Sequence, residues 1–433
     1  MHHLGRSFVP TGLKHLLPRS PKRVLVLGGG PCGLWCADRL RHHFEVTVVD
    51  SKDYFEYTPG ILRAVADPSH HSRITFKYRE VLEGNLGVEF VHGEASDIQA
   101  PSSGQGPGSV LVKPVGSGPA PAAGQSRLHF DYCVVAVGVS NGIWKPRAIG
   151  EPSGPAVGSS MSVGAPAAMP AVQDRDERSL EVRREALSHL RESIASARAV
   201  HIVGAGLVGV EMAAELAHFY PRLKVRLVDG APVVLPQLAE GSREYARQVL
   251  QQQNVTLDLG TPFAPESVGD GELVLWCVGT RSRSTGLFAD GPAVLKPNGQ
   301  VRVNPRMQVL RKTGGAGGPA ELEPIGQGRV FAVGDAASVE GVPTAQIIFH
   351  GEEMAAVAVQ NIEASEDISS PLAFSKNRRE AEAGQPLLCC TSLGPQDGMF
   401  STQSELVATG VFAAIQKQLI EETKMAALRG EMV

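Results

Sequence analysis

The sequence lacks a long apolar run, since its longest candidates are short strands such as residues 133–138. A membrane-spanning helix needs roughly 18 consecutive apolar residues, so the sequence predicts that the chain does not cross a membrane. It also lacks an excess of one charge, with 41 Lys and Arg against 45 Asp and Glu. This balance gives no electrostatic reason to expect a nucleic acid as partner.

Cysteine is scarce, with six in 433 residues, and no secretory apolar segment precedes them. This pattern favours a reducing compartment and free thiols over a disulfide scaffold. Cys32 and Cys36 are four residues apart, but packing in the core is favoured over a redox pair because free cysteine tends to be buried.

The amino terminus lacks acidic residues, since five basic residues precede the first one, Asp38. Residues 1–22 therefore resemble a mitochondrial presequence. Three prolines in this stretch disfavour an amphipathic helix, and a basic tail is the alternative. The compartment stays open between the cytoplasm, a membrane surface and the mitochondrion.

Glycine, by contrast, is abundant, and its first cluster follows a predicted strand at 24–27 and opens a predicted helix at 31–40. In the pattern G-x-G-x-x-G the first glycine permits a tight turn, the second lets backbone approach a pyrophosphate, and the third lets the helix pack on the strand. The amino terminus of the helix offers N–H groups to phosphates, and an acidic residue at the end of the next strand can accept the ribose hydroxyls. The residues of this predicted site are Gly28, Gly29, Gly30, Pro31, Cys32, Gly33 and Asp50.

A second unit of the same kind follows, with a strand at 200–203, a helix to about residue 219 and a strand at 224–228. Its glycines are Gly204, Gly206 and Gly209, and Asp229 closes the second strand. Because Asp229 would repel a 2′-phosphate, NADH is favoured over NADPH at this site. The nearby cations Arg226 and Lys224 leave NADPH open.

Three further segments complete a pattern: a strand at 132–137 ending at Gly138, a strand at 273–278 ending at Gly279, and the run FAVGD ending at Asp335. With the two glycine clusters they resemble the two-dinucleotide-binding flavoproteins (pyridine nucleotide-disulfide oxidoreductase-like), which include glutathione reductase, apoptosis-inducing factor and type II NADH dehydrogenases. GVEMAAEL at 209–216, LRA at 62–64 and LGPQDG at 393–398 are most similar to the ferroptosis-suppressor branch of apoptosis-inducing-factor homologues.

The resemblance implies an α/β fold with two Rossmann-like dinucleotide-binding domains, for FAD and NAD, plus a small C-terminal α+β module. Stretches 101–125 and 150–171, rich in Gly, Pro, Ser and Ala, are predicted to be solvated insertions. The expected divisions are 1–22 as a basic tail or targeting segment, 23–149 and 283–362 as a discontinuous FAD-binding domain, 150–198 as an insertion and linker helix, 199–282 as an NAD(P)H-binding domain and 386–433 as a C-terminal interface module.

The resemblance also implies roles for single residues. Arg63 would stand near the phosphates or the ribityl chain of FAD, and Asp335 would accept a ribityl hydroxyl. Glu211, on the helix of the second glycine cluster, would face the nicotinamide ribose and the flavin; an ordinary acid near a helix amino terminus is the alternative. Beyond the two glycine clusters, the glycines expected at the cofactors are Gly138, Gly279 and Gly334.

A quinone is the electron acceptor that the resemblance suggests, since PTAQIIFHGEE at 343–353 occupies the place of a segment lining the quinone pocket of type II dehydrogenases. Ala345 and Gln346 match that segment, and His350 replaces its second glutamine. His350 is a candidate proton relay, with a structural helical histidine as the alternative. No cysteine pair occurs at residues 55–65, which argues against a thiol-disulfide enzyme, and no metal site is predicted.

The carboxy-terminal stretch 405–425 carries apolar residues at helical spacing, among them Ala408, Phe412, Ile415 and Leu419. Peripheral membrane contact, a cover for the FAD domain and a homodimer interface all remain open. The predicted function is NAD(P)H-dependent reduction of a quinone through FAD. A respiratory type II NADH dehydrogenase and an NADH-binding, redox-sensing interaction protein are the alternatives.

Overall fold

The computed structural model describes residues 21–102, 106–115, 126–141, 177–314, 321–342, 348–374, 389–402 and 404–431. The helices are α1 (Pro31–Leu40), α2 (Ile61–Ala66), α3 (Leu180–Ser196), α4 (Leu207–Phe219), α5 (Glu240–Gln252), α6 (Gly291–Val294), α7 (Ile348–Ala364) and α8 (Val411–Leu428). The strands are β1 (Arg23–Leu27), β2 (Glu45–Asp50), β3 (Tyr54–Glu56), β4 (Thr75–Lys77), β5 (Glu89–Gln99), β6 (Gly108–Pro114), β7 (Ser126–Phe130), β8 (Tyr132–Val135), β9 (Val139–Asn141), β10 (Ala199–Val203), β11 (Lys224–Asp229), β12 (Thr256–Leu259), β13 (Glu272–Trp276), β14 (Thr280–Ser282), β15 (Val301–Val303), β16 (Leu310–Thr313), β17 (Glu321–Pro324), β18 (Val330–Ala332), β19 (Ala337–Val339), β20 (Cys389–Ser392), β21 (Gly398–Ser401) and β22 (Leu406–Thr409).

The first large sheet has the strand order β18-β8-β1-β2-β5-β6-β7. Strand β1 lies inside it, parallel to β2 and β8, and its last four residues are buried because they are apolar on both faces. The chain returns to this sheet late, when β18 pairs with β8. The strands β5, β6 and β7 continue the sheet as an antiparallel extension.

The second large sheet is parallel throughout, with the order β12-β11-β10-β13. All five residues of β10 are buried, and α4 follows it directly. Both sheets therefore place a helix amino terminus at the carboxyl end of a central parallel strand, which is where dinucleotides bind in open α/β sheets.

The last part of the chain forms an antiparallel sheet of β20, β21 and β22, followed by α8. The predicted fold class is confirmed: the chain is α/β, with two Rossmann-like units and a small C-terminal α+β module. The divisions at particular residue numbers stay predictions.

Three local predictions were wrong. Residues 406–409, expected in a helix, form β22, because Gly410 at φ 75° ends that strand and the helix begins only at Val411. Part of the stretch 101–125, expected to be a solvated insertion around a short strand at 110–112, is the longer strand β6, whose first three residues are buried. The strand predicted at 132–137 ends at Val135.

The linker helix α3 is fixed to the first unit by a buried ion cluster. Arg183 donates to both carboxylate oxygens of Glu56 (2.9 and 3.0 Å) and to Glu177 (2.5 Å). Burial would raise the pKa of Glu56, but Arg183 outweighs this effect and the pKa lies well below its usual range. Within the described ranges, none of the helices combines the length and the apolar character that a membrane crossing requires.

Candidate dinucleotide sites

The first glycine loop joins β1 to α1 and is closed by the carboxylate at the end of β2. The N–H of Gly29 donates to Asp50 Oδ2 (2.7 Å), and the N–H of Lys52 donates to Asp50 Oδ1 (2.8 Å). Gly28 has φ 101°, a backbone conformation that favours glycine. We call the residues Gly28–Gly33 with Asp50 the first cradle.

The second glycine loop, between β10 and α4, has the same design. The N–H of Ala205 donates to Asp229 Oδ2 (2.6 Å), and the N–H of Ala231 donates to Asp229 Oδ1 (2.7 Å). Gly204 has φ 112°. We call the residues Gly204–Gly209 with Asp229 the second cradle.

The second and third glycines of each motif differ in how much room a side chain would have. A Cβ added at Gly33 would lie 1.9 Å from the carbonyl oxygen of Gly28, and one at Gly209 would lie 1.8 Å from that of Gly204. A Cβ at Gly30 or Gly206, in contrast, would meet nothing within 4 Å. The first two glycines let the helix pack on its strand, and the other two leave open the space that a pyrophosphate needs.

The helix amino termini beside these spaces are free to bind an anion. Neither Gly30 nor Gly206, the residues that cap α1 and α4, supplies a side-chain hydrogen bond to the first turn. The N–H groups and the positive end of each helix dipole therefore face the open space. Both cradles fit a dinucleotide pyrophosphate.

The carbonyl of the second loop residue is held differently in the two cradles. In the first, the phenol of Tyr78 donates to the carbonyl oxygen of Gly29 (2.9 Å), and its ring fills the place where a Cβ at Gly29 would stand. In the second, the backbone N–H of Leu235 donates to the carbonyl oxygen of Ala205 (2.8 Å). The motif did not indicate Tyr78, because the tyrosine lies outside it.

The FAVGD run places Gly334 and Asp335 beside the first cradle. A Cβ added at Gly334 would lie 2.9 Å from Cys32 Sγ, and one at Gly351 on α7 would lie 2.6 Å from the same atom. Burial raises the pKa of the Asp335 carboxyl. Burial, with the charge of Asp335 next, raises the pKa of the Cys32 thiol to about 12, so Cys32 is a protonated packing residue.

Glu211 lies on α4, two residues beyond the second cradle, and faces the C-terminal module. Its carboxylate accepts the N–H of Ser392 (2.8 Å) and forms a short ion pair with Lys417 of α8. Burial alone would lower the pKa of Lys417, but Glu211 outweighs it and raises that pKa. Lys417 and Ser392 were not identified from the sequence, where a lysine in an amphipathic helix gives no signal of its partner.

Arg63, expected near the FAD phosphates, makes its polar contacts with α4 and β20. Its guanidinium donates to Glu215 (3.0 and 3.1 Å) and to Ser392 Oγ (3.3 Å). Glu215 is 2% exposed and would be costly to bury without this partner. Arg63 therefore ties the first unit to the second, and its predicted contact with FAD stays a prediction.

The other predicted residues fall in three places. Gly138 (φ 64°) and Gly279 (φ 75°) precede β9 and β14, which pair with each other where the chain passes between the two units. His350 lies in the first turn of α7, half-buried, with its ring 6.3 Å from that of Phe349. Gln346 and Ala345 lie outside the described residues. Within the described part of the chain, no three His, Cys, Asp or Glu side chains group as metal ligands.

Two carboxylate-closed glycine loops, each at the end of a central parallel strand, define a protein with two dinucleotide sites. A family model described as pyridine nucleotide-disulphide oxidoreductase matches residues 22–360, and the chain belongs to this family.

Individual relatives agree with that assignment. The chain is 24% identical over 426 residues to apoptosis-inducing factor homolog B of Dictyostelium discoideum, covering 90% of this chain and 92% of that protein. It is 24% identical to ferroptosis suppressor protein 1 of Xenopus tropicalis, covering 78% of this chain and 80% of that protein. It is also 24% identical to alternative NAD(P)H-ubiquinone oxidoreductase C1 of Arabidopsis thaliana, covering 73% of this chain and 62% of that protein. The predicted resemblance is confirmed.

Proposed function

We propose that this protein is an FAD-dependent oxidoreductase that takes reducing equivalents from NADH and delivers them to a quinone. The observation that carries the proposal is the presence of two cradles of one design in a single chain, one for a resident dinucleotide and one for a visiting one. The family match and an NAD(P)H-ubiquinone oxidoreductase among the relatives support the cofactors and the acceptor class.

The first cradle would hold FAD. Asp50 would accept the hydroxyls of the adenosine ribose, and the amino terminus of α1 would bind the pyrophosphate. Asp335, next to the cradle, would accept a ribityl hydroxyl. When bound, the flavin supplies the two-electron chemistry, and the protein supplies position and electrostatics.

The second cradle would bind NADH in preference to NADPH. The carboxylate of Asp229 would repel a 2′-phosphate. Arg226, which would weaken this repulsion, is bound to Asp258 through Nε and Nη2 (2.9 and 2.6 Å). Because Arg226 is paired with Asp258, the negative charge of Asp229 would be the main factor that selects NADH over NADPH at the second cradle.

Glu211 and Lys417 would close the space between the nicotinamide and the C-terminal module. Their ion pair fixes α8 against α4, and this contact would help to keep water from the space and to orient the bound nicotinamide. A disulfide acceptor is disfavoured, because the segment of β3 and α2 contains no cysteine and all six cysteines are free. Gln346 and His350 would lie at the quinone, with His350 as a candidate proton relay.

An anaerobic titration of the purified protein with NADH, followed by a soluble benzoquinone, tests this function. We expect the visible flavin absorbance to be lost and then restored. A protein that purifies without flavin and does not take up FAD would contradict the proposal. A reduced flavin that persists in the presence of quinone would favour the redox-sensing alternative.

The C-terminal helix α8 supports a peripheral membrane contact as part of the same function. Its two lysines face inward, since Lys417 and Lys424 bind Glu211 and Glu352, whereas Glu422 is exposed and pairs with Arg73. Four of its outward side chains are apolar and at least half exposed: Val411, Phe412, Ile415 and Leu419. Such a face fits a lipid surface that supplies a lipophilic quinone.

Liposome flotation of the wild type and of Phe412→Ser with Ile415→Ser checks the membrane contact. We expect the wild type to float and the double variant to sediment, with equal flavin content. If the wild type does not float and sediments as a dimer that the double variant abolishes, the face is a homodimer interface.

A further inference from the structure

Gln300 binds the backbone of the turn that carries Asp335. Its side-chain Nε2 donates to the carbonyl oxygen of Asp335 (3.0 Å) and to that of Ala337 (3.2 Å). These two carbonyls lie on either side of Ala336, in the turn that joins β18 to β19. Because the direction of a carbonyl follows from the backbone dihedrals around it, one carboxamide bound to both oxygens fixes the turn. It thereby fixes the direction in which the side chain of Asp335 leaves the backbone.

The carboxamide of Gln300 is itself held in the orientation that this contact needs. Its Oε1 accepts a hydrogen bond from Nδ2 of Asn298 (2.7 Å), and its backbone N–H donates to Asn298 Oδ1 (3.1 Å). The carbonyl oxygen of Gln300 accepts the N–H of Lys296 (2.8 Å), which closes the tight turn before β15. Since the oxygen of the carboxamide is already bonded, its nitrogen faces the Asp335 turn.

The turn that Gln300 binds lies against the first cradle. The N–H of Val333 donates to the carbonyl of Val135, the last residue of β8 (3.0 Å), so the turn leaves the first sheet at its carboxyl edge. A Cβ added at Gly334 would lie 2.9 Å from Cys32 Sγ, which leaves no gap between the turn and the glycine loop. Burial raises the pKa of the Asp335 carboxyl. A ligand hydroxyl that donates to this carboxylate would compensate for the water that burial removes.

A second Asn–Gln pair of the same kind binds the other end of β18. Nδ2 of Asn304 donates to Gln308 Oε1 (2.8 Å), and Nε2 of Gln308 donates to the carbonyl oxygen of Gly328 (3.1 Å). Gly328 comes before β18, whereas Asp335 comes after it. Dinucleotides bind at the carboxyl ends of parallel strands, so the pair with Gln300 is at the ligand edge of the sheet and the pair with Gln308 is not.

We propose that Gln300 is a positioning residue for FAD, which holds the turn so that the carboxylate of Asp335 meets the ribityl chain. The proposal rests on the proposed function, because it takes the first cradle as the FAD site and Asp335 as the acceptor of a ribityl hydroxyl. It adds a residue that lies 35 positions before Asp335, outside the glycine motifs and the FAVGD run.

The test is Gln300→Met, which keeps the length of the side chain and removes the carboxamide. We expect the Kd for FAD, measured by titration of the refolded apoprotein, to rise about tenfold, because two neutral hydrogen bonds no longer orient a binding group. The matched control is Gln308→Met, which removes the corresponding carboxamide at the other end of β18. It should leave the Kd for FAD unchanged, even where it lowers the Tm of the apoprotein as much as Gln300→Met does.

A double-mutant cycle with Asp335→Ala separates positioning from a general contribution to the fold. In the Asp335→Ala background there is no carboxylate to orient, so Gln300→Met should not change the Kd for FAD further. An unchanged Kd in Gln300→Met alone would overturn the proposal. An effect of equal size in both backgrounds would also overturn it, since Gln300 would then act without Asp335.

The cycle measures binding alone, so it is independent of the electron acceptor. A wild-type apoprotein that takes up no FAD would refute the proposed function and this proposal with it. A wild type that binds FAD but does not reduce benzoquinone would refute the acceptor of the proposed function, while the cycle would still decide the role of Gln300.

Discussion

The two cradles share their backbone but differ in what stabilises it. In both, the carboxylate at the end of the second strand accepts two backbone N–H groups, and an added Cβ at the third glycine would overlap the carbonyl of the first. The carbonyl of the second loop residue is bound by a tyrosine side chain in the first cradle and by a backbone N–H in the second. The contacts that the two cradles share join residues close in sequence. The contact that differs between them depends on how distant parts of the chain pack together.

This difference matters because the two cradles are proposed to bind their ligands for different lengths of time. The first is backed by α7, whose Gly351 packs on Cys32, and its loop is held by Tyr78. More contacts that hold the loop in its binding conformation reduce the cost of ordering it on binding. A resident FAD in the first cradle and an exchanging NADH in the second are consistent with that arrangement.

The largest effect should come from Gly33→Ala and Gly209→Ala, because each Cβ would stand less than 2 Å from a backbone oxygen and the loop must open. We expect Gly33→Ala to purify without flavin. We expect Gly209→Ala to retain FAD but to lose measurable NADH binding by isothermal titration.

Gly84→Ala is the control for this pair, since its Cβ would meet only one atom, at 3.9 Å. It should retain both ligands. If Gly209→Ala lost FAD and kept NADH binding, the assignment of the two cradles would have to be exchanged.

The carboxylates should give the next largest effect. Asp229→Asn removes one of the two side-chain oxygens that accept backbone N–H groups, and it removes the negative charge, so we expect the Kd for NADH to rise about tenfold. The Kd for NADPH should fall relative to that for NADH, because the repulsion of the 2′-phosphate is gone. Equilibrium titrations with both nucleotides measure the ratio.

The corresponding change in the first cradle, Asp50→Asn, should weaken FAD and leave the NADH:NADPH ratio unaltered. Asp131→Asn, at a surface ion pair with Lys22, controls for loss of charge. A ratio that does not move in Asp229→Asn would mean that Asp229 does not select the nucleotide.

The smallest effect should come from Tyr78→Phe, which tests the difference between the cradles directly. The loss of one neutral hydrogen bond of about 1 kcal/mol predicts a roughly fivefold weaker FAD affinity. The Kd for NADH should not change, since the second cradle uses the N–H of Leu235.

FAD titration of the refolded apoprotein, with Tyr132→Phe as the control, checks this prediction. The hydroxyl of Tyr132 bonds Glu366 (2.7 Å), outside either cradle. Equal FAD affinities for the wild type and Tyr78→Phe would show that the bond to Gly29 does not stabilise the binding conformation.

Much of the fold was predictable because its signals are local. Strand, glycine turn, helix and acidic residue follow one another within about 30 residues, and each has a steric or electrostatic reason. The prediction failed at residues 406–409, where apolar residues at helical spacing form a strand because they pair with β21. The spacing of apolar residues does not distinguish a short strand from a helical turn when pairing with a neighbouring strand determines the conformation.

The candidate site was predictable only in part. The sequence indicated the glycines and both aspartates that meet in the two loops, but it did not indicate the contacts of Arg63 with Glu215 and Ser392. Those contacts depend on how α2 meets α4 and β20, three elements from distant parts of the chain. The charges of these residues and their spacing in the sequence do not indicate that α2, α4 and β20 pack against one another.

The sequence by itself determined the two cradles, since glycine sterics, helix dipoles and a carboxylate at a strand end act over a few residues. The tertiary structure alone decided the partners of Glu211 and Gly29. Lys417 reaches Glu211 across 206 residues of chain and Tyr78 reaches Gly29 across 49. Such pairings follow from the packing of whole elements, because side chains distant in sequence become neighbours only when the sheets and helices assemble.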